Sequence, residues 1–374
     1  MAILAAYKGT EPLAMHLKKS FAQRKQMGSR DRKTVSNLCY AAFRLGKAMS
    51  QFSVEEAILV GLFLSTEVSD PVLADLKPEW DLQVGAGIEA KLTLLHLEGI
   101  KTTLLDETWI LSAGIDRAQL ALSHFLQPRV FIRVRPGKEQ LVHDIIDRNG
   151  LAAIAINKSV WSFPQGLSLE AYFDLDKDVV IQDLSSQKVA DFFPEKLAPG
   201  SMVWDACAAS GGKSILLNDT FPRVKLQATD IRETIIMNLR KRFEAAGIQH
   251  FKSFVSDLTK PLMPNNTAAF DLVVADVPCS GSGTWRRTPE QLRYFKTERI
   301  GEFSTLQKNI VATISKALKP GGYLLYITCS VFREENEAIV EWLTSQSNLT
   351  IKKMGVINGL SDRSDTMFAA LLTA

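Results

Sequence analysis

Cys279 stands in the stretch VVADVPCSGSGTWRRTPE, three residues after Asp276, and Cys329 stands fifty residues later in YLLYITCS. Each follows an apolar run of the kind that makes a buried strand, and one long helical segment lies between them. If the two strands are neighbours, both thiols face one pocket with a carboxyl group beside them. That combination suits covalent catalysis, in which a thiolate is the nucleophile. The same residues also fit two plainer roles, small side chains filling strand ends or the two halves of a disulfide. The four cysteines, Cys39, Cys207, Cys279 and Cys329, form no Cys-x-x-Cys pair, and the five histidines are scattered. Neither a zinc site nor a disulfide framework is expected, and the cytoplasm is the natural compartment.

Other candidate groups also sit where strands end. MVWDA ends in Asp205 and is followed by the loop CAASGGKS; VKLQATD ends in Asp230; VSDLT carries Asp257; DLVVADVP carries Asp276. Gly212-Lys213-Ser214 matches the tail of a phosphate-binding loop, but five residues before Gly212 stands Cys207, so the first glycine of that motif is missing. What remains is a glycine loop that lets backbone approach a ligand. An acid 25 residues after Asp205 could accept ribose hydroxyls. This favours nucleoside binding without requiring a triphosphate.

The elements that must position these groups are strands alternating with helices from about residue 179. Such a pattern predicts an α/β, parallel doubly wound sheet, with ligands beyond the carboxyl ends of the strands. The helix STLQKNIVATISKAL puts Leu306, Ile310, Ile314 and Leu318 on one face and is expected to end at Pro320-Gly321-Gly322. Residues 126–178 read as a small α/β module: the strand RVFIRV with Arg129, Arg133 and Arg135 interleaved, then a helix stopped by Gly150, then more strand. These arginines suit either RNA or a solvated sheet edge. Residues 1–125 read as all-helical. One helix carries Val35, Leu38, Cys39, Ala42 and Phe43 on its apolar face, which makes Cys39 a core thiol. Another opens with Ser53 as cap and Glu56 three residues on.

With 46% hydrophobic and 23% charged residues the chain can bury a sizeable core, and no apolar run reaches the roughly 18 residues of a membrane helix. The N-terminus has a short apolar start without a basic region ahead of it or a full apolar stretch, so no signal peptide is expected. Net charge is only +3, but residues 1–47 hold ten Lys or Arg against the acids Glu11 and Asp31. That segment suits a phosphate backbone, and equally a solvated helix surface.

DACAASGGK, ADVPCSGSGTWRRTPE and LKPGGYLLYITCSVFREENEAIVEWL closely resemble motifs of the RNA (cytosine-5) methyltransferase family. IQDLSSQKVADFF and SDTMFAALLT resemble that family's cofactor-covering segment and final strand, and the five motifs occur in its order over residues 125–374. MGSRDRKTVSNLCYAAFR looks like the NusB-like helical RNA-binding domain of the bacterial branch acting on 16S ribosomal RNA. The resemblance implies three parts: a helical NusB-like RNA-binding domain (1–125), a small α/β RNA-binding module (126–178) and a Rossmann-like S-adenosylmethionine-dependent methyltransferase domain (179–374).

It further implies methylation of carbon 5 of a cytosine in RNA. By family role Cys329 attacks carbon 6, Asp276 hydrogen-bonds or protonates ring N3, and Cys279 assists release of the product. Cys207, Ala208, Ala209, Ser210, Gly211, Gly212 and Lys213 would wrap the methionine and ribose of S-adenosyl-L-methionine. Asp230 would bind ribose hydroxyls, Asp257 would reach the adenine side, and Asp276 would lie near the transferring methyl. The chain departs from the family in two places: Ser210 stands where proline is usual, and Ile235 stands where many members have a basic residue, with Arg232 as a candidate replacement. Arg286 and Arg287 suit phosphate contacts, and Trp285 suits base stacking or local packing. The expected partner is RNA, ribosomal rather than transfer RNA, with no metal, no membrane and a monomeric chain. The alternatives are the same chemistry on transfer RNA, or a noncatalytic RNA-binding assembly factor that retains the fold.

Overall fold

The computed structural model describes residues 1–262 and 268–374. It divides into two compact units. One comprises Met1–Leu111, Ile115–Pro128 and Ser282–Arg299, and the other Ser112–Gly114, Arg129–Gly281 and Ile300–Ala374.

The first unit is helical. Its helix Ser29–Phe43 buries Cys39, Ala41, Ala42 and Phe43, and burial pushes the Cys39 thiol up to about 11. The helix Val54–Ser65 starts with the expected reciprocal cap between Ser53 and Glu56 and is buried from Ala57 to Ser65. Gly61 is what allows these two helices to touch, because a Cβ there would stand 2.2 Å from the Ala41 carbonyl oxygen. Ser282–Arg299, which follows Cys279 in sequence, belongs to this helical unit. There Trp285 is 3% exposed and packs against Trp109 and Phe295, with ring centroids 5.6 and 4.8 Å away. Arg286 is 2% exposed, so it is not an open phosphate contact, and Trp285 is a packing residue rather than a stacking platform.

The second unit begins with a four-stranded antiparallel sheet of β1 (Val130–Val134), β2 (Ile154–Asn157), β3 (Val160–Phe163) and β4 (Val179–Ile181), in the order β2-β3-β1-β4. The helix Glu139–Arg148 packs Val142 and Ile146 on Ile132, Val134, Phe163 and Val179. The β1 arginines do not line an open edge. Arg133 and Arg135 both bind Asp219 on the helix Gly212–Thr220, and Arg135 also donates to the Ala246 carbonyl at 3.0 Å. Arg129 donates to Ser162 Oγ at 2.9 Å.

The larger sheet contains β5 (Met202–Asp205), β6 (Lys225–Asp230), β7 (Phe251–Val255), β8 (Phe270–Asp276), β9 (Leu318–Thr328), β10 (Thr350–Ile357) and β11 (Met367–Thr373). Their order is β10-β11-β9-β8-β5-β6-β7. The five strands from β9 to β7 run parallel, whereas β11 is antiparallel to both neighbours, so the sheet is mixed rather than wholly parallel. Consecutive apolar residues serve opposite faces, as the two-residue period requires. On β8, Leu272 and Val274 join a core with Ile215, Leu239 and Phe243, while Val273 and Ala275 join one with Ile310, Val311 and Ile339.

The helix Glu298–Ile314 stops earlier than Pro320. Lys319-Pro320-Gly321-Gly322 instead bulges out of β9, whose pairing with β8 jumps from Phe270↔Leu318 to Leu272↔Tyr323. Gly321 has φ +74°, and a Cβ on Gly322 would lie 3.0 Å from the Phe270 carbonyl oxygen, which is why glycines fill the bulge.

Candidate active site

Strand order reverses between β5 and β8: the chain proceeds outward from β5 to β6 and β7, then returns to the other side of β5. Ligands bind at such a switch point, beyond the carboxyl ends of the strands. Asp205 ends β5 and Asp276 ends β8, so the loops 206–211 and 277–281 flank the crevice.

The first loop is held in a compact, partly left-handed form, with Ala209 at φ 45° and Gly211 at φ 88°. Gly211 also lies on Phe243, where a Cβ would approach Cε1 to 2.7 Å. Ser210 is tied down by Arg242, whose Nη1 donates to the Ser210 carbonyl at 3.0 Å and to its Oγ at 2.9 Å. The other edge of the same guanidinium grips both carboxylate oxygens of Asp176, at 2.9 and 2.6 Å. The loosening expected where proline is replaced by Ser210 is therefore countered by a planar, bidentate anchor.

Asp205 is 1% exposed. Its Oδ2 accepts from Ser214 Oγ at 2.6 Å, and its Oδ1 has no protein partner. Burial pushes its carboxyl up to about 7, against the hydrogen bond from Ser214. Cys207 packs against the core, and burial, with Asp205, Asp276 and Asp230 nearby, pushes its thiol up, so it is an inert thiol in the loop. Lys213 donates to Asp276 Oδ2 at 2.6 Å. Burial works against the Lys213 charge, but Asp276, then Cys329 and Asp205, raise its pKa overall. This lysine is thus committed to the second loop and is not the free cation of a phosphate cradle.

Asp230 is 7% exposed at the end of β6. Despite the cost of burial, its pKa is lowered by Arg232, which donates from its backbone N–H at 2.9 Å and from Nε at 3.0 Å, and by the Ala209 N–H. Arg232 therefore binds the acid itself, and this is what stands in the region where the family's basic residue is lacking. Asp257 follows β7 and folds onto its own turn, accepting from Thr259 Oγ1 at 2.6 Å and lying 3.4 Å from Lys260 Nζ.

The second and third loops meet. Asp276 pairs with Ile327 across β8 and β9, and a few residues later the sulfurs of Cys279 and Cys329 are 3.4 Å apart. Both are free thiols. The hydrogen bond with Cys329, burial, and the nearby Glu335 raise Cys279 well above the ordinary thiol range. Gln307 fixes the turn before it by donating to the Pro278 carbonyl at 2.9 Å. Glu335 was not singled out by sequence reasoning, because an acid within an acidic run reads as solvated surface. It is fully buried, and its carboxylate accepts the Ser280 N–H at 2.9 Å and the Ser280 hydroxyl at 2.7 Å. Asn336 beside it donates to the Ser330 carbonyl at 2.9 Å. Among the described residues no group of His, Cys, Asp and Glu is disposed to hold a metal ion, and no helix is long and apolar enough to cross a membrane.

The residues fit a bound sulfonium nucleoside. A glycine-turned loop, a buried acid with one orphan oxygen and a second acid at the end of β6 surround the switch point, while the thiol pair stands across Lys213 and Asp276. The sheet and its switch-point site are those of the Rossmann-like S-adenosylmethionine-dependent methyltransferase fold. Residues 195–368 match the family model described as 16S rRNA methyltransferase RsmB/F. A ribosomal RNA small subunit methyltransferase B of Xanthomonas campestris is 35% identical over 173 residues, 44% of this chain and 37% of that protein. The chain thus spans less than two fifths of that relative's length. Two solved structures share the fold: PH0851, at 18% identity and TM-score 0.72 over 100% of this chain and 97% of that one, and a methyltransferase homolog from Pyrococcus horikoshii, at 22% and 0.58 over 70% and 91%. Over these residues the chain is thus similar to ribosomal RNA methyltransferases.

Proposed function

We propose that this protein methylates carbon 5 of a cytosine in RNA, with 16S ribosomal RNA as the substrate. The observation that carries the reading is the thiol pair, 3.4 Å apart at the ends of adjacent parallel strands and beside the Lys213–Asp276 ion pair. Carbon 5 of cytosine is a weak nucleophile until a thiolate adds at carbon 6. Cys329 is assigned the attack, because its hydrogen bond to Cys279 and burial raise the Cys279 thiol while Lys213 places a cation near Cys329.

As the bond from the Cys329 sulfur to carbon 6 forms, Asp276 takes the thiol proton and passes it to ring N3, where it balances the electron density the ring has gained. When bound, S-adenosylmethionine supplies the electrophilic methyl group. The Cys207–Lys213 loop, Asp230 and Asp257 would hold it, with Arg242 and Arg232 keeping the loop and Asp230 in place. A base then takes the carbon 5 proton, that bond's electron pair restores the carbon 5–carbon 6 double bond, the carbon 6–sulfur bond breaks with its pair on the Cys329 sulfur, and N3 returns its proton to Asp276. Cys279, next to the departing sulfur, serves that release. The small module and the basic helical unit are RNA-binding elements in this reading, supported by the exposed Lys18, Lys19, Lys25, Arg30 and Lys33. The 16S assignment is supported by what the curated relatives are named.

The test uses RNA carrying tritium at carbon 5 of cytosine. Incubation of ribosomal RNA with the protein and S-adenosylmethionine should release tritium to water in step with methyl incorporation. Methyl incorporation without tritium release would place the methyl elsewhere, and release only from transfer RNA would change the substrate.

A further inference from the structure

Glu335 takes no direct part in the reaction just described, yet it is a fully buried carboxylate beside the thiol pair. Ser280, which directly follows Cys279, gives it both a backbone N–H and a hydroxyl, at 2.9 and 2.7 Å. Ser330, which directly follows Cys329, also hydrogen-bonds it through its side chain. The two serine hydroxyls are 3.3 Å apart. One carboxylate thus grips the residue after each cysteine. Its own segment is fixed as well: the Glu335 carbonyl accepts from Tyr326 Oη at 2.6 Å, and Asn336 ties Thr328 and Ser330.

An acceptor-only group is required here. Two hydroxyls and an N–H converge on the site, and a glutamine would turn its NH₂ donors toward at least one of them. A carboxylate answers all of them but brings a buried negative charge, which is costly and so calls for a purpose. The charged and titratable groups facing the pair are Lys213 and Asp276 on one side, Tyr326 from β9, and Glu335 with Glu334 beyond it on the other. The cation therefore lies toward Cys329 and the carboxylate toward Cys279. That polarity disfavours a thiolate on Cys279.

We propose that Glu335 is a positioning residue for the thiol pair: it ties Ser280 to Ser330, holds the two sulfurs in register, and sets a carboxylate on the Cys279 side of the pair. This rests on the reading of Cys329 as nucleophile and Cys279 as its partner in release. The position is unassigned by that mechanism, since it touches neither substrate nor reacting atoms.

The test reads the thiols directly and needs neither RNA nor cofactor. The full chain, wild type and Glu335→Gln, is alkylated with iodoacetamide from pH 6 to 10, and each cysteine's labelling rate is followed by peptide mass spectrometry. In the wild type Cys329 should label faster than Cys279 at neutral pH. In Glu335→Gln the labelling midpoint of Cys279 should fall by about one pH unit, speeding its labelling at pH 8 by roughly tenfold. Glu335→Asp, which keeps the charge, should retain the wild-type ordering of the two cysteines. An unchanged Cys279 profile in a folded Glu335→Gln protein overturns the proposal and leaves the nucleophile assignment standing. Faster labelling of Cys279 than Cys329 in the wild type overturns both, and it does so without any variant having to fold.

Discussion

The Cys279 and Cys329 sulfurs sit 3.4 Å apart although fifty residues separate them, because β8 and β9 pair in parallel and bring Asp276 opposite Ile327 just before both chains leave the sheet. A shift of the β8–β9 register would separate them. The bulge at Lys319–Gly322 absorbs the irregularity at the far end of β9, leaving the thiol-bearing end in regular pairing from Leu272↔Tyr323 to Asp276↔Ile327.

Arg242 compensates for the missing proline at position 210. Arg242→Ala should weaken S-adenosylhomocysteine binding about 5- to 20-fold, the scale of one or two charge-assisted hydrogen bonds. Adding Ser210→Pro to that variant should recover part of the loss. Calorimetry of the two variants checks this, and equal affinity for wild type and Arg242→Ala would contradict it.

Gly211 is constrained twice, by φ 88° and by the 2.7 Å approach of any Cβ to Phe243. Gly211→Ala should cost roughly 2–4 kcal/mol from the left-handed backbone and overpacking together, and should reduce cofactor affinity as the loop shifts. Thermal unfolding and calorimetry read the two effects.

Much of this was legible in the sequence. The apolar runs of β8 and β9, the Gly-rich loop and the strand-end acids follow directly from periodicity and turn chemistry. β10 was not foreseen, because TIKKMGVI is an edge strand exposed from Thr350 to Met354 and interrupted by Lys352 and Lys353, the pattern of a guarded edge. The roles of Arg286, Arg133 and Arg135 were also hidden, and Trp285 was open between base stacking and packing. Each lies near the chemistry or on a strand in sequence, and only tertiary contacts show that the tryptophan packs on Trp109 and that the β1 arginines bind Asp219. Glu335 was missed for the same reason: nothing in REENE separates a buried acid from its exposed neighbours.

Asp205 makes stability pH-dependent. Its folded pKa of about 7 lies above the ordinary value of 3.8, so the folded protein keeps a proton that the unfolded chain releases. Its contribution is present in full below the unfolded value and is lost as pH rises through about 7. Between pH 5 and 7 this should lower stability by roughly 1 kcal/mol per pH unit. Asp205→Asn should remove that slope and raise the melting temperature relative to wild type more at pH 8 than at pH 5. Parallel slopes for the two proteins would count against it.

The exposed cations of the helical unit should govern RNA affinity through the phosphates they neutralise. Truncation at residue 125 is a poor test, since Trp285 packs on Trp109 and would lose its cover. Alanine at Lys18, Lys19, Lys25, Arg30 or Lys33 should instead weaken binding and reduce the salt slope by roughly 0.7–0.9 for each phosphate no longer neutralised. Titrations at several salt concentrations measure it, and an unchanged slope would make the basic face a solvated surface.

The most direct test of the central claim is a denaturing gel of the full chain incubated with ribosomal RNA and S-adenosylmethionine. Cys279→Ala should accumulate a gel-stable protein–RNA adduct that requires both substrates, because attack and methylation proceed while release is blocked. Cys329→Ala should give no adduct and no methylation. An adduct from Cys329→Ala and none from Cys279→Ala would contradict the account and make Cys279 the nucleophile.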